Sequence, residues 1–222
     1  MSDDLSDFDA EYKMILVGNS TIGKTTLFKK LSINVFHENN VSTIGMDKKT
    51  LEYEIKIKEN EQEVKKNIKI LLYDTAGQER FLSSTKSYFK RANGVILLYS
   101  IIDKKSFNNL PRWLNEVKDV LENHENNKYL IFLIGTKSDI TKEDENKREV
   151  SVMEASDFCD KNNILWYGEY SSKNTSQETF NILFAEFGRK LYEKIGFNRI
   201  AGDNTSILSS KKTKKRKHQC CK

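Results

Sequence analysis

The chain is poor in proline, cysteine and long apolar runs, and each shortage closes a class of function. Only three cysteines occur in 222 residues, two of them adjacent near the end, so no disulfide framework is available. A reducing compartment fits that usage. No apolar stretch approaches the ~18 residues that a membrane span needs. The longest lies around residues 95–102, and the chain is not expected to cross a bilayer. The first dozen residues, MSDDLSDFDAEY, carry neither a basic start nor an apolar block, so no secretory signal is expected and the cytosol is the predicted compartment. With 37% apolar and 31% charged residues there is enough to bury for one soluble globular domain, and too little length for two.

Charge is unevenly spread. The formal net charge is +5, yet residues 203–222 hold seven Lys or Arg against one acid, so the tail carries +6 and the rest of the chain −1. A nearly neutral body with a basic end argues against nucleic acid along a domain face. It points to something that the tail alone touches, an anionic membrane surface first.

Runs rich in Ile, Val, Leu and Tyr recur at 13–17, 51–57, 68–73, 95–100, 129–135 and 164–167 and predict six strands. Helical spacing falls at 25–31, at 107–121 after the cap-like Ser106, at 152–161 and at 177–195. The order βαββαβαβαβα predicts an α/β fold: a six-stranded, mostly parallel sheet flanked by helices, with strands two and three pairing as one antiparallel hairpin. Ligands then bind at the carboxyl ends of the strands. Pro111 falls inside the 107–121 stretch and predicts a helix start or a bend there. The hairpin connection KENEQEVKK is charged and lacks an Asn-Gly turn, so it predicts extension or a loop into solvent. Cys159 lies in helical spacing and is expected in the core, while His37 and His124 fall in polar loops. From Gly196 onward apolar periodicity stops, which predicts a disordered tail. The organisation expected is an acidic extension over 1–10, one α/β domain over 11–196 and a basic tail over 197–222.

Chemistry concentrates in two segments. GNSTIGKT, residues 18–25, is a G-x-x-x-x-G-K-[ST] phosphate loop between a predicted strand and a predicted helix. Consecutive backbone N–H groups must curl around a phosphate there, with glycine wherever a Cβ would collide. Average composition produces the pattern by chance in about 1 chain of this length in 100. Lys24 is placed to bridge the β- and γ-phosphates and Thr25 to set its hydroxyl on Mg²⁺. The second segment is YDTAGQER, residues 73–80, where a carboxylate at a strand end can support the metal and Gly77 can turn its N–H to the γ-phosphate. Alone it reads as an Asx-type turn.

These segments, with STIGMD at 42–47, YFKRANGVILLYSI at 88–101, TKSD at 136–139 and EYSSK at 169–173, resemble the Ras superfamily of small GTPases and, within it, the Rab family. The resemblance spans about residues 11–195 and the tail, and implies the three-layer P-loop NTPase fold of a Ras-like G domain. It implies that Ser20, Thr21, Ile22, Gly23, Lys24, Thr25 and Thr26 hold the phosphates of GTP or GDP, and that Thr25, Thr43 and Asp74 serve Mg²⁺. Thr43 senses the γ-phosphate and Gln78 orients the attacking water, so Gln78, Lys24 and Thr43 form the catalytic set. Phe36 covers the guanine edge. Asp139 accepts from guanine N1–H and N2–H₂, which adenine does not offer. Lys137 lies along the purine face, and Ser171, Ser172 and Lys173 meet the guanine O6 side. Further partners implied are an exchange factor, a GTPase-activating protein, a dissociation inhibitor or escort protein, and effectors, with the chain itself a monomer.

Several positions depart from the family pattern. Thr136 stands where Asn is usual, which predicts altered affinity without lost guanine choice and leaves the link to the phosphate loop in question. Lys48 and Tyr73 replace an effector-facing Phe and Trp, and only Tyr88 of that apolar patch is kept, so unusual effectors are expected. The hairpin is longer than usual. KKTKKRKHQCCK is no C-a-a-X box, since Gln219 stands fourth from the end. Cys220 and Cys221 resemble the family's double geranylgeranylation signal, idle thiols being the plain alternative, and His218 adds too few ligands for zinc. The expected role is a GTP/GDP switch in vesicle traffic, slow in hydrolysis, on the cytoplasmic face of an intracellular membrane and cycling through the cytosol. A GTP-locked, poorly hydrolysing adaptor of the same fold is the rival reading. A phosphate-loop ATPase or nucleoside kinase lacks a lid and an acceptor site, and TKSD opposes it.

Overall fold

The structure is a computed structural model and describes residues 8–31, 46–75, 89–123 and 128–200. Phe36, His37, Thr43, Gly77, Gln78, Phe81, Tyr88, His124, Cys220 and Cys221 lie outside the described residues, as does the helix expected between the third and fourth strands. The strands are β1 (Ala10–Val17), β2 (Met46–Glu59), β3 (Gln62–Thr75), β4 (Gly94–Ser100), β5 (Leu130–Thr136) and β6 (Leu165–Tyr170). The helices are α1 (Lys24–Lys30), α2 (Lys104–Asn108), α3 (Leu110–Glu122), α4 (Ser138–Glu143), α5 (Val152–Asn162) and α6 (Gln177–Ile195). Strand order is β2-β3-β1-β4-β5-β6, antiparallel only between β2 and β3, as the element order predicts.

Period-two alternation sorts the strand residues into two apolar layers. Tyr12, Met14, Leu16, Ile96 and Leu98 face α1 and α6, where they meet Leu27, Phe28, Phe180, Phe184 and Phe187. Ile15, Val17, Val95, Leu97 and Tyr99 face α3 and α5, where they meet Trp113, Leu114, Val117 and the buried Cys159. Both faces of β4 are covered, so all seven of its residues are buried. Pro111 sits in the first turn of α3, where its missing N–H costs nothing, so the expected 107–121 helix starts instead at Leu110; Ser106 and Phe107 belong to the short α2, whose cap is Asp103 and not Ser106.

The β2–β3 hairpin extends, and it closes on a turn that its sequence does not announce. Glu59 pairs with Gln62, leaving Asn60 and Glu61 as a two-residue connection with φ of 50° and 67°. Both values lie in the left-handed region, as a type I′ turn demands. Asn tolerates that region, whereas for Glu it costs about 1–2 kcal/mol, which a fourteen-residue ladder offsets. Lys65 to Glu54 at 2.7 Å and Lys56 to Glu63 at 3.2 Å line the ribbon.

The amino ends of the parallel strands form a closed polar pole. Asn93 exchanges backbone and side-chain bonds with Lys13, and its carbonyl accepts from Leu130 N–H at 2.9 Å. Residues 197–200, expected in the disordered tail, are instead fastened here. Glu11 N–H donates to the Asn198 carbonyl at 2.8 Å, Asn198 Nδ2 donates to the Glu11 carbonyl at 2.6 Å, and Tyr12 Oη donates to the Gly196 carbonyl at 2.6 Å. Loss of apolar periodicity did not mean loss of order, because a backbone can pair with the start of β1, ahead of its pairing with β4 at Met14, without any side-chain pattern.

Candidate functional site

Carboxyl ends of β1, β3, β5 and β6 meet at the opposite pole, and register decides which residues meet. Leu16 pairs with Asp74, Ser100 with Thr136, and Thr136 with Tyr170, so the phosphate loop, the strand-end carboxylate, TKSD and EYSSK share one rim.

The phosphate loop leaves β1 at Gly18, with φ of 145°. A Cβ there would lie 2.4 Å from the Leu98 carbonyl oxygen and 2.6 Å from Ile22 Cδ1, so only glycine fits. Thr21 and Gly23 also take positive φ, of 61° and 105°, and Gly23 caps α1. Ser20 is partly buried, Thr21, Thr25 and Thr26 are exposed, and Ile22 is buried against the sheet. Lys24 is only 4% exposed, and its Nζ donates to the Gly18 carbonyl at 2.8 Å and the Asn19 carbonyl at 2.5 Å. A buried ammonium is costly on its own and is favoured where an anion arrives to pair with it.

Asp74 is 3% exposed, and its Oδ1 has no hydrogen-bond partner among the described residues. Burial raises the carboxyl above its ordinary pKa, while the Thr25 hydroxyl and the Lys24 ammonium pull the other way. An orphaned carboxylate oxygen beside an exposed hydroxyl is the hard, all-oxygen donor set that Mg²⁺ takes, with phosphate oxygens left to supply the remainder. Thr25 and Asp74 therefore fit the metal.

Thr136 resolves the question raised by its identity. Its hydroxyl is buried, 2.6 Å from the Ile22 carbonyl and 2.8 Å from the Tyr99 carbonyl, so it ties β5 to the phosphate loop. The link survives the change from Asn. Lys137 follows in the left-handed region, φ 66°, and caps α4, which carries Asp139 in its first turn, partly buried. On the adjoining loop Ser171 is buried; its Oγ accepts from the Lys173 and Asn174 N–H groups, both at 3.1 Å, leaving Ser172 partly buried and Lys173 exposed. Lys173 reaches Glu143 at 3.9 Å, an exposed contact that joins the two loops weakly.

Sequence reasoning missed what holds EYSSK. Glu169 is gripped by Arg148 through two bonds, 2.8 and 3.0 Å, and Arg148 also donates to the Val150 carbonyl. Glu169 is thus a support for the loop and not a ligand. Its partner lies 21 residues earlier in a loop without a motif, so no local signal marked it.

The profile of the Ras family matches residues 13–193. GTP-binding protein ypt1 of Schizosaccharomyces pombe is 32% identical over 198 residues, 89% of this chain and 88% of that protein. Human Ras-related protein Rab-30 is 33% identical over 204 residues, 92% of this chain and 91% of that protein. Rab-11B of Dictyostelium discoideum is 31% identical over 209 residues, 91% and 87% of the two chains. The chain belongs to the Rab family of small GTPases. It is accordingly a GTPase, converting GTP to GDP and phosphate.

Proposed function

We propose that this Rab-type GTPase is a switch in vesicle traffic, held on the cytoplasmic face of an intracellular membrane by a lipidated tail and read by partners according to its nucleotide. The observation that carries the reading is the buried pair at the loop: Lys24, 4% exposed, and Asp74, 3% exposed, with one carboxylate oxygen unpartnered among the described residues. Both burials are costly in an empty protein and make sense where a polyphosphate and a divalent cation arrive together.

In this reading Lys24 binds the β- and γ-phosphates and the loop N–H groups cradle them. Thr25, Thr43 and Asp74 hold Mg²⁺, which when bound neutralises charge on the phosphate oxygens. Gln78 orients the water, and Gly77 N–H meets the γ-phosphate. Asp139 selects guanine, with Lys137 along the ring, Phe36 at its edge and Ser171, Ser172 and Lys173 on the O6 side. Thr136 spends its hydroxyl on the Ile22 and Tyr99 carbonyls, so it supports the loop and leaves the base to its neighbours. Hydrolysis without a partner is slow. Lys48, exposed and opposite Tyr73 on the ribbon, gives effectors a charge to pair where relatives of the family offer an aromatic. Cys220 and Cys221 take geranylgeranyl groups, and the basic run steers membrane choice at roughly 1 kcal/mol per lysine.

Identifying the nucleotide that copurifies tests the reading. Guanosine di- or triphosphate with one Mg²⁺ is expected; an adenine nucleotide, or none after gentle purification, overturns it. Fractionation of the Cys220→Ser, Cys221→Ser double variant beside intact protein tests the anchor, and a variant still sedimenting with membranes refutes it.

A further inference from the structure

Trp113 lies on α3 among residues that serve only the core, yet its indole N–H does not stop there. Nε1 donates to Asn19 Oδ1 at 2.8 Å, across 94 positions of sequence. Trp113 is 7% exposed, so an unmade bond would leave a buried donor without a partner. Asn19 is the second residue of the phosphate loop, and its own backbone carbonyl accepts from Lys24 Nζ at 2.5 Å. One residue thus touches α3 with its side chain and the phosphate-seeking ammonium with its backbone.

The neighbouring loop residues are pinned from other directions. Gly18 sits hard against the Leu98 carbonyl of β4, and the Ile22 carbonyl takes the Thr136 hydroxyl of β5. Between those pins Asn19 is held from the side by α3. We propose that Trp113 is a positioning residue for nucleotide binding: through Asn19 it fixes the part of the phosphate loop that carries an acceptor of the Lys24 ammonium, and so helps fix where that ammonium rests. The proposal builds on the phosphate-loop reading above.

The strut also explains a choice in the sequence that core packing leaves open. Phe fills an apolar position on α3 as well as Trp and brings no N–H to satisfy. A Trp there, opposite an amide and not an aliphatic residue, matches donor to acceptor.

Release of GDP and GTP carrying a fluorescent ribose label, measured with Mg²⁺ on the full chain, tests the strut. Trp113→Phe and Asn19→Leu should each speed release about three- to tenfold, the size expected of one partly buried hydrogen bond. The two together should be no faster than the more severe single variant, since both remove the same bond. Asn19→Asp keeps an acceptor and should restore slow release. In a proton–nitrogen spectrum the Trp113 indole signal, assigned by its loss in Trp113→Phe, should move in Asn19→Leu and stay near its place in Asn19→Asp. Release within twofold of the unmodified protein in both single variants, or effects that multiply in the double, overturns the strut. An unmodified protein that takes up no guanine nucleotide overturns the site reading and the strut with it, whereas normal uptake with insensitive release overturns the strut alone.

Discussion

The two poles of the sheet are built from similar materials and finished to different standards. At the amino pole every polar group introduced above has found a protein partner: Asn93, Asn198, Glu11 and Lys13 satisfy one another through backbone and amide. At the carboxyl pole Asp74 keeps an oxygen without one among the described residues, although it is 3% exposed and lies within the field of the buried Lys24 ammonium. A fold that can complete one pole could have completed the other. On the reading proposed above, the nucleotide and its metal supply there what the chain withholds.

The comparison is broken most directly at Gly18. Gly18→Ala puts a Cβ 2.4 Å from a backbone oxygen that cannot swing aside, at a φ of 145° that alanine resists. We expect a loss on the order of 3 kcal/mol in stability and failure to retain nucleotide, read by thermal unfolding and by nucleotide content. A variant as stable as the parent and fully loaded would show that the loop is free to move off β4.

Asp139→Asn should be next. An amide can donate to the carbonyl that xanthine carries in place of the guanine amino group, so affinity should fall for GTP by at least about tenfold and rise for XTP. Competition among GTP, XTP and ATP reads it directly. ATP competing as well as GTP against the unmodified protein would remove Asp139 from the base.

Asp74→Asn separates stability from function at the carboxyl pole. Burial raises the folded carboxyl pKa above its unfolded value, so charging Asp74 destabilises the nucleotide-free protein as pH rises through the ordinary carboxylate range, and that penalty is absent at lower pH where both states are protonated. The variant should therefore stabilise the empty protein by about 1 kcal/mol at pH 7, with the advantage shrinking toward acid, while weakening Mg²⁺-dependent nucleotide retention. Unfolding midpoints of stripped protein across pH decide it. A variant less stable than the parent at neutral pH would mean that the carboxylate serves the fold and not the metal.

At the amino pole the reverse is expected. Asn198→Ala removes bonds to Glu11 and Asn93 and should cost about 1 kcal/mol, with no change in nucleotide release. A release rate that changed with it would couple the poles.

How much of this was legible depended on distance along the chain. Strands announced themselves because six apolar runs alternate or persist within a few residues, and the phosphate loop because its spacing is consecutive. The clasp at Asn198 was not legible, since its partner Glu11 is 187 residues away and asparagine has no pattern to join. The same holds for Trp113 and Asn19, and for Arg148 and Glu169. Thr136 was the instructive case. Its departure from Asn put the loop link in question, but a hydroxyl against a carbonyl 2.6 Å away makes the same kind of tie, and only the packing of β5 behind the loop reveals it.

The smallest effect sharpens the comparison from outside both poles, at the tip of the β2–β3 ribbon. The Lys65–Glu54 pair is exposed on both sides, at 65% and 53%, so replacing Lys65 should leave stability unchanged within error. The turn is different because its cost is in the backbone. Glu61 holds φ of 67°, where a Cβ is disfavoured, and glycine at the second position of a type I′ turn removes that strain while adding freedom to the unfolded chain. Glu61→Gly should therefore stabilise the protein by about 0.5 kcal/mol, a fraction of the strain relieved, and should leave nucleotide binding untouched because the tip lies at the far end of the ribbon from Asp74. Chemical denaturation with an unchanged slope and a higher midpoint is the expected record. A lower midpoint would mean that Glu61 makes compensating contacts in solution, and that the hairpin, like the clasp, is a finished structure whose ends were chosen for fit.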